Sequence, residues 1–236
     1  MLFLLPPSET KAPGGKQINI HQAAQTFGGL NAARLEVLQK LGDKSLADAP
    51  TMPAIQRYTG TLYSAIHGRG LKGTPTEHNQ LTPDELKLAK QYVLIQSALF
   101  GLIAATDLIP VYKLAPNKLL NGLNLKNHWT KAHTVVWSRL AKGPIIDLRS
   151  KAYAELAPLP EDLEVYSVMV YVQREDGSRE QLNHFNKKAK GQLVRAALTA
   201  KKFPETISQL KAAAKKVGLV LEQDGRSLIL ITTSAT

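Results

Sequence analysis

From Val165 to Phe185 the chain reads VYSVMVYVQREDGSREQLNHF, and this stretch decides the class of fold. Val165–Val172 is a run of β-branched and aromatic residues, the composition of a strand. Glu175-Asp176-Gly177-Ser178 is turn chemistry, and the residues after it lead into a second strand ending near Phe185. A second hairpin closes the chain, residues 219–222 and 227–232 around Asp224-Gly225. Two helices lie between the hairpins, residues 188–203 and 205–217, broken at Pro204 and ended by Gly218.

Upstream, Leu2–Leu5 and residues 145–148 read as short buried strands. Thr82-Pro83-Asp84-Glu85 is a helix start, with a capping threonine, proline at the first position and Glu85 placed to close a capping box. That helix is expected to run to Ser97, followed by an apolar segment over residues 98–103 and a loop over 107–114. Leu35, Leu38 and Leu41 have helical spacing, residues 54–66 start as a helix and end at the glycines around 68–73, and residues 127–141 place Trp129, Ala132, Val136 and Leu140 on one face. Helices interleaved with hairpins predict a mixed α/β (α+β) fold, a mixed sheet flanked by helices. No Gly/Ser-rich linker interrupts the pattern, so residues 1–236 are expected to form a single domain with a basic portion at 185–226.

There is no cysteine, which excludes disulfides, thiolate metal sites and thiol redox chemistry. The closest histidines, His128 and His133, are five apart, whereas two ligands on one helical face want three or four. No metal or cofactor is expected. The five-residue apolar run at the start is too short for a signal sequence or a membrane span, so a cytoplasmic location and no membrane partner are expected. Nothing in the sequence fixes an oligomeric state.

The net charge is +11, and between residues 185 and 226 ten lysines and arginines face three acids, a net +7. Such clustering favours a phosphate-rich partner. Phosphate-loop, dinucleotide and nucleophile-elbow motifs are missing.

Four blocks together resemble the YaaA family of bacterial peroxide stress proteins. They are the first strand with Pro6-Pro7-Ser8-Glu9-Thr10-Lys11; Leu30-Asn31-Ala32-Ala33-Arg34 with Tyr58-Thr59-Gly60 and Leu62-Tyr63; Ser97, Leu99-Phe100-Gly101 leading to Asp107 and Tyr112-Lys113; and Trp129 through Ile146-Asp147-Leu148, Ser150 and Tyr153 to Lys187-Lys188-Ala189-Lys190-Gly191. The resemblance implies a YaaA-like mixed α/β fold, a positively charged cleft, DNA binding and a role in limiting oxidative damage. The chain departs from the family pattern at Glu9-Thr10-Lys11, where Lys-Thr is usual, and at Lys113, where arginine is usual. Lysine there keeps the charge without arginine's bidentate fork.

Candidate phosphate contacts are Lys187, Lys188, Lys190, Gly191, Arg195 and Lys113, the first four where a strand gives way to a helix start. Ser8, Thr10, Asp107, Tyr112 and Ser150 are candidate pocket residues. Two functions stay open. One is a DNA-binding protein engaging phosphates. The other is an enzyme acting on a nucleotide, nucleobase or nucleic acid by glycosidic-bond or lyase-type chemistry. Asp147 or Glu9 would serve as acid or base, and Lys11, Lys187, Lys188 or Lys190 as nucleophile or anion clamp. An enclosed convergence of these groups favours the second, an open basic groove the first.

Overall fold

The computed structural model describes residues 1–68, 80–140, 143–182 and 186–232. Its strands are β1 (Leu2–Leu5), β2 (Lys16–Gln17), β3 (Pro50–Pro53), β4 (Val93–Ser97), β5 (Gly101–Ala104), β6 (Leu108–Pro110), β7 (Leu119–Leu120) and β8 (Leu123–Asn124). They continue with β9 (Ile145–Asp147), β10 (Val165–Gln173), β11 (Arg179–Gln181), β12 (Val220–Asp224) and β13 (Ser227–Thr232). The helices are α1 (Asn31–Leu41), α2 (Ala54–Arg57), α3 (Thr61–Ile66), α4 (Pro83–Tyr92), α5 (Leu125–Trp137), α6 (Lys151–Leu156), α7 (Asn186–Leu198) and α8 (Ile207–Lys216).

The main sheet runs β12-β13-β10-β9-β1-β4-β5, with β11 added to β10. Its centre is parallel: β1 pairs with β4 and β9, and β10 with β9 and β13. Antiparallel strands close both ends, β5 on β4 and β12 on β13. The mixed sheet expected from the hairpins is therefore present, and most of its interior is parallel. Because β13 occupies one edge of β10 from Ser167 to Val172, β9 and β11 share the other edge.

All of β1, β4 and β5 are buried, which requires cover on both faces. One cover is the group α3, α4, α7 and α8, with α7 packed on α3, α4, α8, β10 and β13. Helix α5 packs on β5, and α1 and α6 pack on α5. Phe3 and Tyr92 both pack their rings on Phe203, just beyond α7. Among the described residues no helix is long and apolar enough to cross a membrane.

Several boundaries differ from expectation. The helix begun at Thr82 does have its capping box, but it ends at Tyr92, and residues 93–97 are the interior strand β4. Val93-Leu94-Ile95 continues the apolar run without a break, and a strand buried on both faces has no alternation to announce it. The apolar segment after it is a tight turn and β5. Residues 54–66 split at Tyr58–Gly60 into α2 and α3. The two C-terminal helices are shorter than expected, and residues 219–232 form the predicted hairpin. Phe185 and most of the glycine stretch, residues 69–73, lie outside the described residues.

Candidate functional site

From β1 the chain passes to β4 on one side, and β9 is added later on the other. The strand order thus reverses at β1, and open parallel sheets receive ligands outside the carboxyl ends of strands at such a point. The loop after β1, the last residue of β4, the segment after β9 and part of α7 all meet there.

Ser8, Glu9, Thr10 and Lys11 form the loop after β1. The Ser8 Oγ accepts from the Gly60 amide at 2.9 Å and shares a 3.2 Å hydrogen bond with the Thr10 hydroxyl. A Cβ on Gly60 would lie 2.4 Å from Ser8 Oγ, so this close approach requires glycine. Arg57, buried at the end of α2, fastens the following segment by donating to the carbonyls of Ala12, Gly14 and Pro50.

The Lys11 side chain is thereby turned inward. Its Nζ donates to the carbonyls of Ser8 at 3.0 Å and Glu9 at 3.3 Å. It stands 4.4 Å from the centre of the Tyr112 ring and 5.6 Å from that of Tyr58. Burial pulls its pKa down to about 8, with Glu9 opposing the shift and Arg57 adding to it. Among the described residues no carboxylate lies within ion-pair distance of this ammonium.

Beneath Lys11 runs a hydroxyl chain: Tyr58 to Tyr112 at 2.7 Å, and Tyr112 to the Ser97 Oγ at 2.8 Å. Ser97 also accepts the amides of Leu99 and Phe100, which fixes the β4–β5 turn. Tyr63 donates to the Pro6 carbonyl at 2.7 Å. Burial raises the pKa of Tyr58, Tyr63 and Tyr112, so all three stay neutral phenols. Tyr153 on α6 is raised by partial burial and by the nearby Tyr112 and Glu9, which puts it at the same crevice.

Asp147 ends β9. Its carboxylate takes the fork of the buried Arg149, Nε to Oδ1 at 3.0 Å and a terminal nitrogen to Oδ2 at 2.8 Å. Arg149 is itself held by the Ala157 carbonyl at 2.8 Å. Lys190 on α7 is lowered by burial, while the charge of Asp147 acts in the opposite sense. The next residue of α7, Gly191, meets α3 at the Leu62 carbonyl.

The remaining candidates divide. Lys187 is exposed and Lys188 half-buried on the first turn of α7, Lys113 is exposed one residue beyond Tyr112, and Ser150 is exposed at the start of α6. Arg195 donates to the Ile66 carbonyl at 2.9 Å and so ties α7 to α3. Gly191 is a crossing point: a Cβ there would lie 2.2 Å from the Leu62 carbonyl oxygen of α3. It sits inside α7 rather than on the free amides of its first turn. Asp107 is committed to a turn, accepting from the Thr26 hydroxyl at 2.5 Å and the Ala104 amide at 3.0 Å.

Tyr58 and Tyr63 entered the sequence analysis only within the family blocks. They are buried, and Tyr58 also forms the floor under Lys11. Ser97 and Tyr153 appeared only within the family blocks, and Arg57 and Arg149 were missed. An arginine inside an apolar segment was the available signal for Arg57. A cavity of about 500 Å³ is lined by Asp147 and Arg149 themselves. Its charged lining mixes Lys151 and Arg226 with Glu155 and Glu161, so it favours neither sign of ligand. Among the described residues no group of three or more His, Asp or Glu could hold a metal ion.

Residues 1–224 match the family model described as peroxide stress protein YaaA. A UPF0246 protein of Corynebacterium efficiens is 34% identical, over 96% of this chain and 97% of its own length. A UPF0246 protein of Corynebacterium glutamicum is 32% identical over 95% and 96%, and one of Streptomyces coelicolor 30% over 95% and 93%.

Proposed function

The chain belongs to the peroxide stress protein YaaA family, and from that premise we propose that it is a cytoplasmic DNA-binding protein of the peroxide stress response. It holds phosphates at the mouth of the crevice between β1 and β9. The observation that carries this reading is the lysine-rich start of α7, with Lys187 exposed and Lys188 half-buried, on a helix that crosses α3 where Gly191 meets the Leu62 carbonyl. Amides at a helix start add partial positive charge to the ammonium groups. Lys113 supplies a further exposed cation from the loop after β6. Lysine is a point charge suited to phosphate, whereas bidentate reading of guanine is more often arginine's task.

Binding is expected to be independent of sequence and to weaken steeply with salt, with a slope of about −0.9 per phosphate neutralised on duplex DNA. Replacing Lys187 and Lys188 by alanine should weaken binding equally on two unrelated duplexes and flatten the slope by roughly one unit per contact removed. A salt titration by fluorescence anisotropy measures both. An unchanged slope in the double variant would remove these lysines from the contact surface, and no wild-type binding at low salt would end the DNA reading.

A second reading, an enzyme acting on a nucleotide or nucleic acid, is favoured by one specific observation. The Lys11 amine is folded onto its own loop and the Tyr112 ring, held by the Ser8 and Glu9 carbonyls, and burial lowers its pKa.

A further inference from the structure

We propose that the Lys11 amine is the nucleophile of an imine-forming site whose substrates are phosphorylated aldehydes. The inference deepens the enzymatic reading and does not need the lysines of α7 to bind duplex DNA. A lysine whose role is solubility extends into water. Lys11 does the opposite: its stem folds back so that Nζ reaches two carbonyls of its own loop at 3.0 and 3.3 Å and faces the Tyr112 ring at 4.4 Å. Three separate anchors produce that pose, the Ser8–Gly60 contact, the Arg57 clamp on residues 12–14 and the Tyr58–Tyr112–Ser97 chain. The residue as a whole is only half-buried, so Lys11 is not closed off from solvent.

Carbonyl chemistry suits this arrangement. Nζ adds to the aldehyde carbon, the C=O π electrons move to oxygen, and the carbinolamine then expels that oxygen as water. Both amine hydrogens leave on it and a C=N bond replaces C=O, so the step needs no oxidant, reductant or metal. It requires an unprotonated amine, which the lowered pKa of Lys11 supplies near neutrality. It also requires a proton carrier. Glu9, whose charge acts on both Lys11 and Tyr153, is the carboxyl group that can fill that role. The phosphate requirement follows from the placement of Lys190: its neighbour Gly191 meets α3 at the Leu62 carbonyl, two residues beyond Gly60, whose amide holds the Ser8 end of the Lys11 loop. Two sources share this chemistry, a free aldose phosphate and the open-chain sugar of an abasic nucleotide in DNA.

The test is reductive trapping with cyanoborohydride followed by peptide mass spectrometry on the full chain. One arm uses 2-deoxyribose 5-phosphate, the other a duplex with a single abasic site, and unphosphorylated 2-deoxyribose is the control. The expected result is an adduct on Lys11 in at least one phosphorylated arm, at least tenfold above the control. The arm that reacts faster names the source. Lys11→Arg, which keeps the charge, should abolish the adduct, and circular dichroism establishes that the variant is folded. An adduct on other lysines with Lys11 unmodified, equal labelling by the unphosphorylated sugar, or no adduct in either arm overturns the proposal. Because salt-dependent binding to an intact duplex is measured separately, it can succeed while trapping fails, or fail while the free sugar phosphate still traps.

Discussion

Lys11 carries the sharpest expectations at the scale of single residues. Its ammonium loses the proton near pH 8, where an unperturbed lysine holds it to about 10.4. Acylation by a limiting amine reagent, followed at the Lys11 peptide, should therefore reach half its plateau rate near pH 8. A midpoint near 10 would mean that the amine is in bulk water. The same shift acts on stability. Between about pH 8 and 10.4 the unfolded chain binds the Lys11 proton more tightly than the folded one, so this group makes stability rise with pH through that window. Lys11→Met should remove that rise in urea unfolding measured from pH 7.5 to 9.5. Above about pH 10 the sign reverses, because Tyr58, Tyr63, Tyr112 and Tyr153 ionise more easily unfolded than folded. Tyr112→Phe would leave the buried Tyr58 and Ser97 hydroxyls short of a partner, at a cost of about 1–3 kcal/mol. That little of this was legible in the sequence follows from distance along the chain: Tyr58 and Tyr112 are 54 residues apart, and no local pattern pairs them. What sequence did supply was the Ser8–Lys11 loop itself, because a polar turn after a buried strand is a place where side chains meet a cleft.

At the scale of elements, α7 shows where reading by local chemistry stops. Its lysine-rich start was legible as charge, and Gly191 was grouped with that charge because it falls where a strand gives way to a helix start. The glycine's task comes from α3, which no neighbour in sequence reveals. Gly191→Ala must push a methyl group against the Leu62 carbonyl, so a loss of about 1–3 kcal/mol is expected from equilibrium unfolding. An unchanged midpoint would mean that the two helices separate freely. α4 shows the complementary case. Its start was legible because Thr82, Pro83 and Glu85 each have a separate physical job there. Its end was not, because β4 follows directly and is buried on every side.

At the scale of the whole molecule, the hairpin at Val165 was enough to predict a mixed sheet, but not that β10 would pair in parallel with both β9 and β13. Parallel partners are remote in sequence and leave no turn to mark them. One hydrophobic core runs from β1 to β13, and a single cooperative unfolding transition is expected. Limited proteolysis that releases two stable halves would contradict it. The position of β13 also bears on how the chain is made. β13 is the last of the described strands to leave the ribosome, yet it lies inside the sheet, between β10 and β12. At a synthesis rate of about 5–20 residues per second, β10 is complete roughly 3–12 s before β13 is. During that interval the nascent chain presents the Ser167–Val172 edge with no partner, and an unpaired apolar edge is a template for aggregation. Occupancy by a holding chaperone should therefore be highest on chains arrested between residues 173 and 227, and should fall once β13 has emerged.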